Sequence, residues 1–109
     1  VKDFAERKLT YISSNETNYL AFNLPTEEYH NELYEELKFK YAEDCTIKRF
    51  DNEFFVQSKK EKAEYPEKGI ENRVSLHTYI RNQIHHRKEN GAPDKDLLRK
   101  SIEIMRSYL

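Results

Sequence analysis

A chain of 109 residues and 13.2 kDa has room for one domain, and with 37% hydrophobic against 36% charged residues its core must be thin. Eight tyrosines and six phenylalanines are therefore expected to supply much of that core, because each aromatic buries a large area. A net charge of −1, a single cysteine and the lack of any apolar run approaching ~18 residues exclude an internal disulfide and a membrane-spanning helix.

The charge is not evenly spread. Residues 1–68 carry 11 Lys/Arg against 15 Asp/Glu, whereas residues 69–109 carry 8 against 5. The positive surplus falls in the last third, where a phosphate-binding surface would be served by it. Cys45, with no Cys or His near it in sequence, reads as a small core residue in a reducing cytoplasm. The chain opens at Val1 in a charged segment, and we read residues 1–109 as a single domain forming the C-terminal fragment of a longer protein.

Taken in chain order, Lys2 to Leu9 is compatible with a helix, Ser13-Ser14-Asn15-Glu16 reads as a break, and Asn18 to Leu24 is a short apolar stretch of open type. Pro25-Thr26-Glu27-Glu28 is a helix start, with acids at the positive end of the dipole. Tyr29, Leu33, Leu37 and Tyr41 then repeat every four residues, predicting a helix over 26–42. Thr46 to Phe50 and Glu53 to Gln57 are β-branched and aromatic arms around Asp51-Asn52, predicting a β-hairpin over 46–57. Ser58 to Gly69 is a charged linker containing Pro66; its Lys59 and Lys60 read as a solvated loop first and an RNA contact second. A helix is predicted over 70–89, with Leu76, Ile80 and Ile84 on one face and Val74 near its edge, ending at Asn90-Gly91. Pro93-Asp94 opens a closing helix over 94–109 with Leu98, Ile102, Met105 and Leu109 as its stripe. The fold class expected is mostly α: a helical bundle with a C-terminal antiparallel helical hairpin and a small β-hairpin insertion.

The chemistry concentrates in Arg81-Asn82-Gln83-Ile84-His85-His86, an R-N-x-x-x-H pattern. Histidine exchanges protons near neutral pH, arginine grips phosphate with a planar fork, and asparagine can orient a ribose hydroxyl or the histidine itself. Asn82 and His86 are four residues apart and share a face; Arg81 and His85 share an adjacent polar strip that His77 extends. Arg81 and His86 fall about 140° apart around an ideal helix, so one copy makes an imperfect site. An alternative structural reading is that His-His-Arg-Lys merely complements the helix dipole, with Arg81 paired to Glu71, Glu103 or an acid on the 26–42 helix.

The same pattern resembles the signature of the HEPN superfamily of ribonucleases over the motif helix. That resemblance implies a metal-independent endoribonuclease with a composite site formed where two motif helices meet in a homodimer. Carried over, His86 is the general acid or base, Arg81 binds the scissile phosphate, and Asn82 orients the ribose or His86. His85 would steer RNA, tRNA included, or stand in for His86; Arg87 and Lys88, with Lys59 and Lys60, would hold flanking phosphates. No cofactor is implied. His77, His85 and His86 do not suit a metal, since His77 and His85 lie more than two helical turns apart. With Gly69 and Gly91 the sole glycines, no glycine-rich phosphate loop exists either.

Residues 76–109 also resemble the C-terminal tails of AAA or ABC-type ATPases of bacterial phage defence, Septu-like systems among them. That resemblance implies a toxin or defence setting and an ATPase domain upstream or as a partner subunit. Two further function classes stay open: a non-catalytic docking or dimerisation module of such an ATPase, and a nucleic-acid binder that does not cleave.

Overall fold

A computed structural model of the chain describes residues 7–41, 43–66, 73–86 and 91–109. Within them the fold is mostly helical, with one small antiparallel strand pair.

Residues 7–13 run irregularly into α1 (Ser14–Phe22). The Ser13 hydroxyl accepts the Glu16 amide, so the segment expected as a break is an N-cap, with the serine-to-glutamate spacing of a capping box. Asn23 ends the helix in the left-handed conformation, at φ 54°, which asparagine tolerates better than most residues. The apolar stretch ending at Leu24 thus belongs largely to α1, and Tyr19 and Leu20 enter the core.

Helix α2 (Glu27–Tyr41) forms where the apolar repeat places it, and the Thr26 hydroxyl caps it by accepting the Tyr29 amide. Tyr29, Leu33 and Leu37 are buried as the repeat requires, while Tyr41 stays exposed. Helix α5 (Lys95–Tyr108) is likewise capped by Asp94, which accepts from the Asp96 and Leu97 amides, and it buries Leu98, Ile102 and Met105.

The expected β-hairpin over 46–57 is not there. Thr46 instead caps a short helix α3 (Ile47–Phe50), which continues as a π-helix over Asp51–Ser58. Its wider turn is visible in the Lys59 amide, which reaches back five residues to the Phe54 carbonyl. Aromatic content suggested strands here, but Phe50, Phe54 and Phe55 lie at helical spacing and pack on one another at 5.1–5.2 Å. Phe50 and Phe55 also meet Tyr34 of α2, and that long-range aromatic cluster overrides the local β preference. Nor is Asp51 a turn residue. It is buried, and its carboxylate accepts the Ser75 amide at 3.2 Å and the Ser75 hydroxyl at 2.6 Å.

The strand pair lies later: β1 (Tyr65–Pro66) pairs antiparallel with β2 (Arg73–Val74). Helix α4 (Leu76–His85) follows Ser75 directly. The predicted 70–89 helix is therefore shorter at its start, because Arg73 and Val74 are held in the sheet and Asp51 pins Ser75. Helices α2, α4 and α5 pack on one another and carry most of the core. Leu76 and Ile80 are buried there, and Ile84 packs at the margin.

Candidate functional site

Helix α4 positions the motif. Its inner side is occupied by Leu76, His77, Thr78 and Ile80, all buried. Arg81 and Asn82 are half-buried at the boundary, and His85 and His86 are exposed. Arg81 donates from Nη1 to Asn82 Oδ1 at 3.2 Å, so arginine and asparagine are brought together. Among the described residues Arg81 forms no ion pair, and the pairing to Glu103 considered from sequence is absent.

His86 is not within the helix. It is the C-cap, at φ −110° and ψ 37°, and its amide donates to the Asn82 carbonyl at 3.0 Å. Its side-chain direction is thus set by the helix end rather than by a helical wheel. The His85 and His86 rings meet edge to face, with centroids 5.3 Å apart. No hydrogen bond among the described residues joins either imidazole to Arg81 or Asn82. The site therefore consists of an arginine–asparagine pair and a histidine pair, side by side along one helix end. Gln83, between them, holds its buried Oε1 without a hydrogen-bond partner among the described residues.

The remaining RNA-contact candidates are dispersed. The Lys59 amine lies 5.3 Å from the Phe54 ring centre and 5.0 Å from that of Tyr108, a cation–π arrangement at the end of α5. Lys60 is exposed in a left-handed backbone conformation, at φ 57°. Arg87 and Lys88 lie outside the described residues.

His77 departs most from expectation. Rather than extending the polar strip, it is fully buried. Its Nδ1 lies 2.6 Å from Ser101 Oγ of α5, and its Nε2 lies 2.8 Å from both Glu61 oxygens. Ser101 Oγ is also 2.7 Å from Nε2 of His30, on α2. Tyr108 donates to Glu61 at 2.7 Å and closes the cluster. A carboxylate only accepts, so the His77 Nε2 beside Glu61 carries a proton, while the direction of the two hydrogen bonds through Ser101 follows from the tautomers of the two imidazoles.

Burial and the nearby His77 lower the His30 pKa to about 3, against a small opposing effect of Asn31. Burial pulls the Glu61 carboxyl up, yet the His77 and Tyr108 hydrogen bonds and Lys100 together hold it below the ordinary range. Burial and Glu61 push the Tyr108 phenol up. A serine between imidazoles, backed by a carboxylate, has the composition of a hydrolytic triad. Ser101 is fully buried, however, so no substrate reaches its oxygen, and the cluster acts as a polar tie among three helices. Residue patterning could not find it, because His30, His77 and Ser101 are polar residues at core-facing helical positions.

A second buried tie holds the amino-terminal part. Glu16 accepts the Tyr29 hydroxyl at 2.7 Å and the amides of Lys8 and Leu9, while Arg106 donates to Tyr29 at 2.8 Å.

No protein-family model, no curated protein and no solved structure matches the chain. Among the described residues, no helix is long and apolar enough to cross a membrane.

Proposed function

We propose that the chain is a HEPN-like, metal-independent endoribonuclease whose site is Arg81, Asn82 and His86. The observation that supports this reading is the division of α4. Its apolar side is spent on the core, while an arginine already bonded to asparagine and two exposed histidines are left at the opposite boundary. His86 serves as the proton-transfer group, taking the 2′-hydroxyl proton or protonating the leaving 5′-oxygen. Arg81 neutralises the scissile phosphate as charge grows on it, and Asn82 orients the ribose. The 2′-oxygen attacks phosphorus and the 5′-oxygen departs, leaving a 2′,3′-cyclic phosphate. His85 steers the strand, Arg87 and Lys88 supply flanking charge, and Lys59 and Lys60, away from the His86 end of α4, would meet RNA only as a more distant contact. Two copies meeting along α4 complete the site, and the setting is a cytoplasmic phage-defence or toxin system with an associated ATPase.

The test is incubation with total RNA and with tRNA in EDTA. Wild type should leave cyclic-phosphate ends, and His86→Ala should lose about 10²–10⁴-fold in rate, as removal of a general acid or base does. Arg81→Ala should fall comparably, with thermal melting confirming that both variants fold. Cleavage unchanged in both variants would refute the assignment.

A docking module is favoured by a separate observation. Ile12, Phe22 and Phe39 are 86%, 74% and 61% exposed, large apolar side chains that a partner would cover. In that reading EDTA-resistant cleavage is absent, and polar substitution of Phe22 or Phe39 abolishes self-association or partner binding in sedimentation.

A further inference from the structure

Away from the α4 motif, the junction of α3, the π-helix and the strand pair encloses a cleft of about 440 Å³. Its size falls within the range that takes small organic ligands. Val56, Ala63 and Val74 give the cleft an apolar lining, and Lys48, Arg49 and Arg73, all exposed, line it as cations. Asn52 is exposed on the same wall.

The charges are not equally committed. The Arg49 Nε is bound to Glu53, whose carboxyl is held below the ordinary range by that bond and by the Tyr41 hydroxyl. Asp51, the one acid on the cleft wall among the described residues, spends its carboxylate on Ser75. Neither Lys48 nor Arg73 has a side-chain ion-pair or hydrogen-bond partner among the described residues. Two uncommitted cations beside an apolar lining suit a ligand with a compact dianion at one end and a flat ring at the other. The Asn52 amide offers both a donor and an acceptor to the edge of such a ring. A bare phosphate would leave the lining uncovered, and a sugar phosphate would place hydroxyls against valine methyl groups.

We propose that this cleft binds a nucleoside monophosphate unit, with its phosphate between Lys48 and Arg73 and its base over Val56 and Val74. Arg73 contributes a two-pronged phosphate contact and Lys48 a mobile point charge. The unit can be a free nucleotide or one nucleotide of an RNA strand, since both present the same phosphate and ring. The assignment goes beyond the cleavage reading and does not need it: the cleft adjoins the start of α4, whereas His86 ends that helix.

The experiment is calorimetric titration of the whole chain with adenosine monophosphate and uridine monophosphate, with adenosine and inorganic phosphate as controls. A labelled single-stranded RNA is titrated in parallel by fluorescence anisotropy. Lys48→Gln and Arg73→Gln should each weaken binding at least about tenfold, the scale of one charge-assisted hydrogen bond. Lys95→Gln, outside the cleft, should change nothing. Both targeted side chains are exposed, so melting temperatures should hold. Methyl chemical shifts of Val56 and Val74 on adding adenosine monophosphate give a readout that needs no variant. Binding of the monophosphates identifies a free-nucleotide site; binding of the oligonucleotide alone, weakened in both variants, identifies a strand subsite. The proposal fails if neither ligand binds, if the variants bind like wild type, or if inorganic phosphate binds as well as the nucleotides. Loss of cleavage in His86→Ala with nucleotide binding intact would separate the two sites.

Discussion

Acidification should destabilise the fold through His30 well above the pH at which carboxylates titrate. His30, on α2, is fully buried against α5, and its neighbours are Ser101, Asn31 and the His77 ring. Its pKa falls to about 3 in the folded chain, whereas an unfolded histidine titrates at about 6.5. Between those values the unfolded state binds a proton that the folded state refuses, so stability rises with pH across the window and falls on acidification. Each pH unit is worth about 1.4 kcal/mol, and lowering the pH from 7 to 5 costs about 2 kcal/mol. For a domain of this size, that is a melting-temperature drop on the order of 10 °C. Glu61 does not obscure the effect. Its folded pKa is depressed, so its contribution is intact above the ordinary carboxylate range and is lost only below it. The assay is urea unfolding at half-unit steps from pH 7 to pH 4.5, for wild type and for His30→Gln, which keeps a polar group but cannot titrate. The variant should lose roughly 1.4 kcal/mol per unit of the slope below pH 6. Equal slopes in the two proteins would show that His30 is not held neutral, and the argument from burial would be wrong.

Glu16→Gln should lower unfolding free energy by about 2–3 kcal/mol, because a buried carboxylate gathers the Tyr29 hydroxyl and two amides with Arg106 nearby; urea titration measures it, and a change below 0.5 kcal/mol would contradict the tie (about the scatter of surface substitutions). Phe55→Ala removes the ring that joins the π-helix to Tyr34 and His77, and about 3–5 kcal/mol should be lost on cavity formation. A near-neutral result there would mean the aromatic cluster is not what holds residues 51–58 helical.

Periodicity located the frame. The four-residue repeat of Tyr29, Leu33 and Leu37 and the stripe of Leu98, Ile102 and Met105 each mark a helix whose apolar face is buried. These are strong signals, because long amphipathic helices carry their packing instructions locally. Residues 46–57 misled for the opposite reason: the β-branched and aromatic arms satisfy a strand pattern, and contacts from outside the segment, with Tyr34 and Tyr41 of α2, His77 and Tyr108, decide for helix. The capping role of Ser13 was written in its spacing to Glu16 but lay within a run that also reads as a turn. At the site, the pairing of Arg81 with Asn82 and the exposure of both C-terminal histidines agree with a polar strip on α4. The burial of His77 does not, since its partners Glu61 and Ser101 come from a linker and from the far helix, and neither is visible from α4 alone.

The π-helix at Asp51–Ser58 makes this segment unusually sensitive to length. A π turn is an α-helix that has absorbed an additional residue without breaking. Removing one residue there would not simply shorten the chain. One residue fewer would let the wide turn close towards an ordinary α-helical one, changing the angle between the residues on either side and shifting Asp51 against Ser75 or Phe55 against Tyr34. Insertions and deletions within these eight positions therefore act as changes of angle, and variants that keep the count at eight should tolerate altered side chains better than variants that keep the side chains and alter the count.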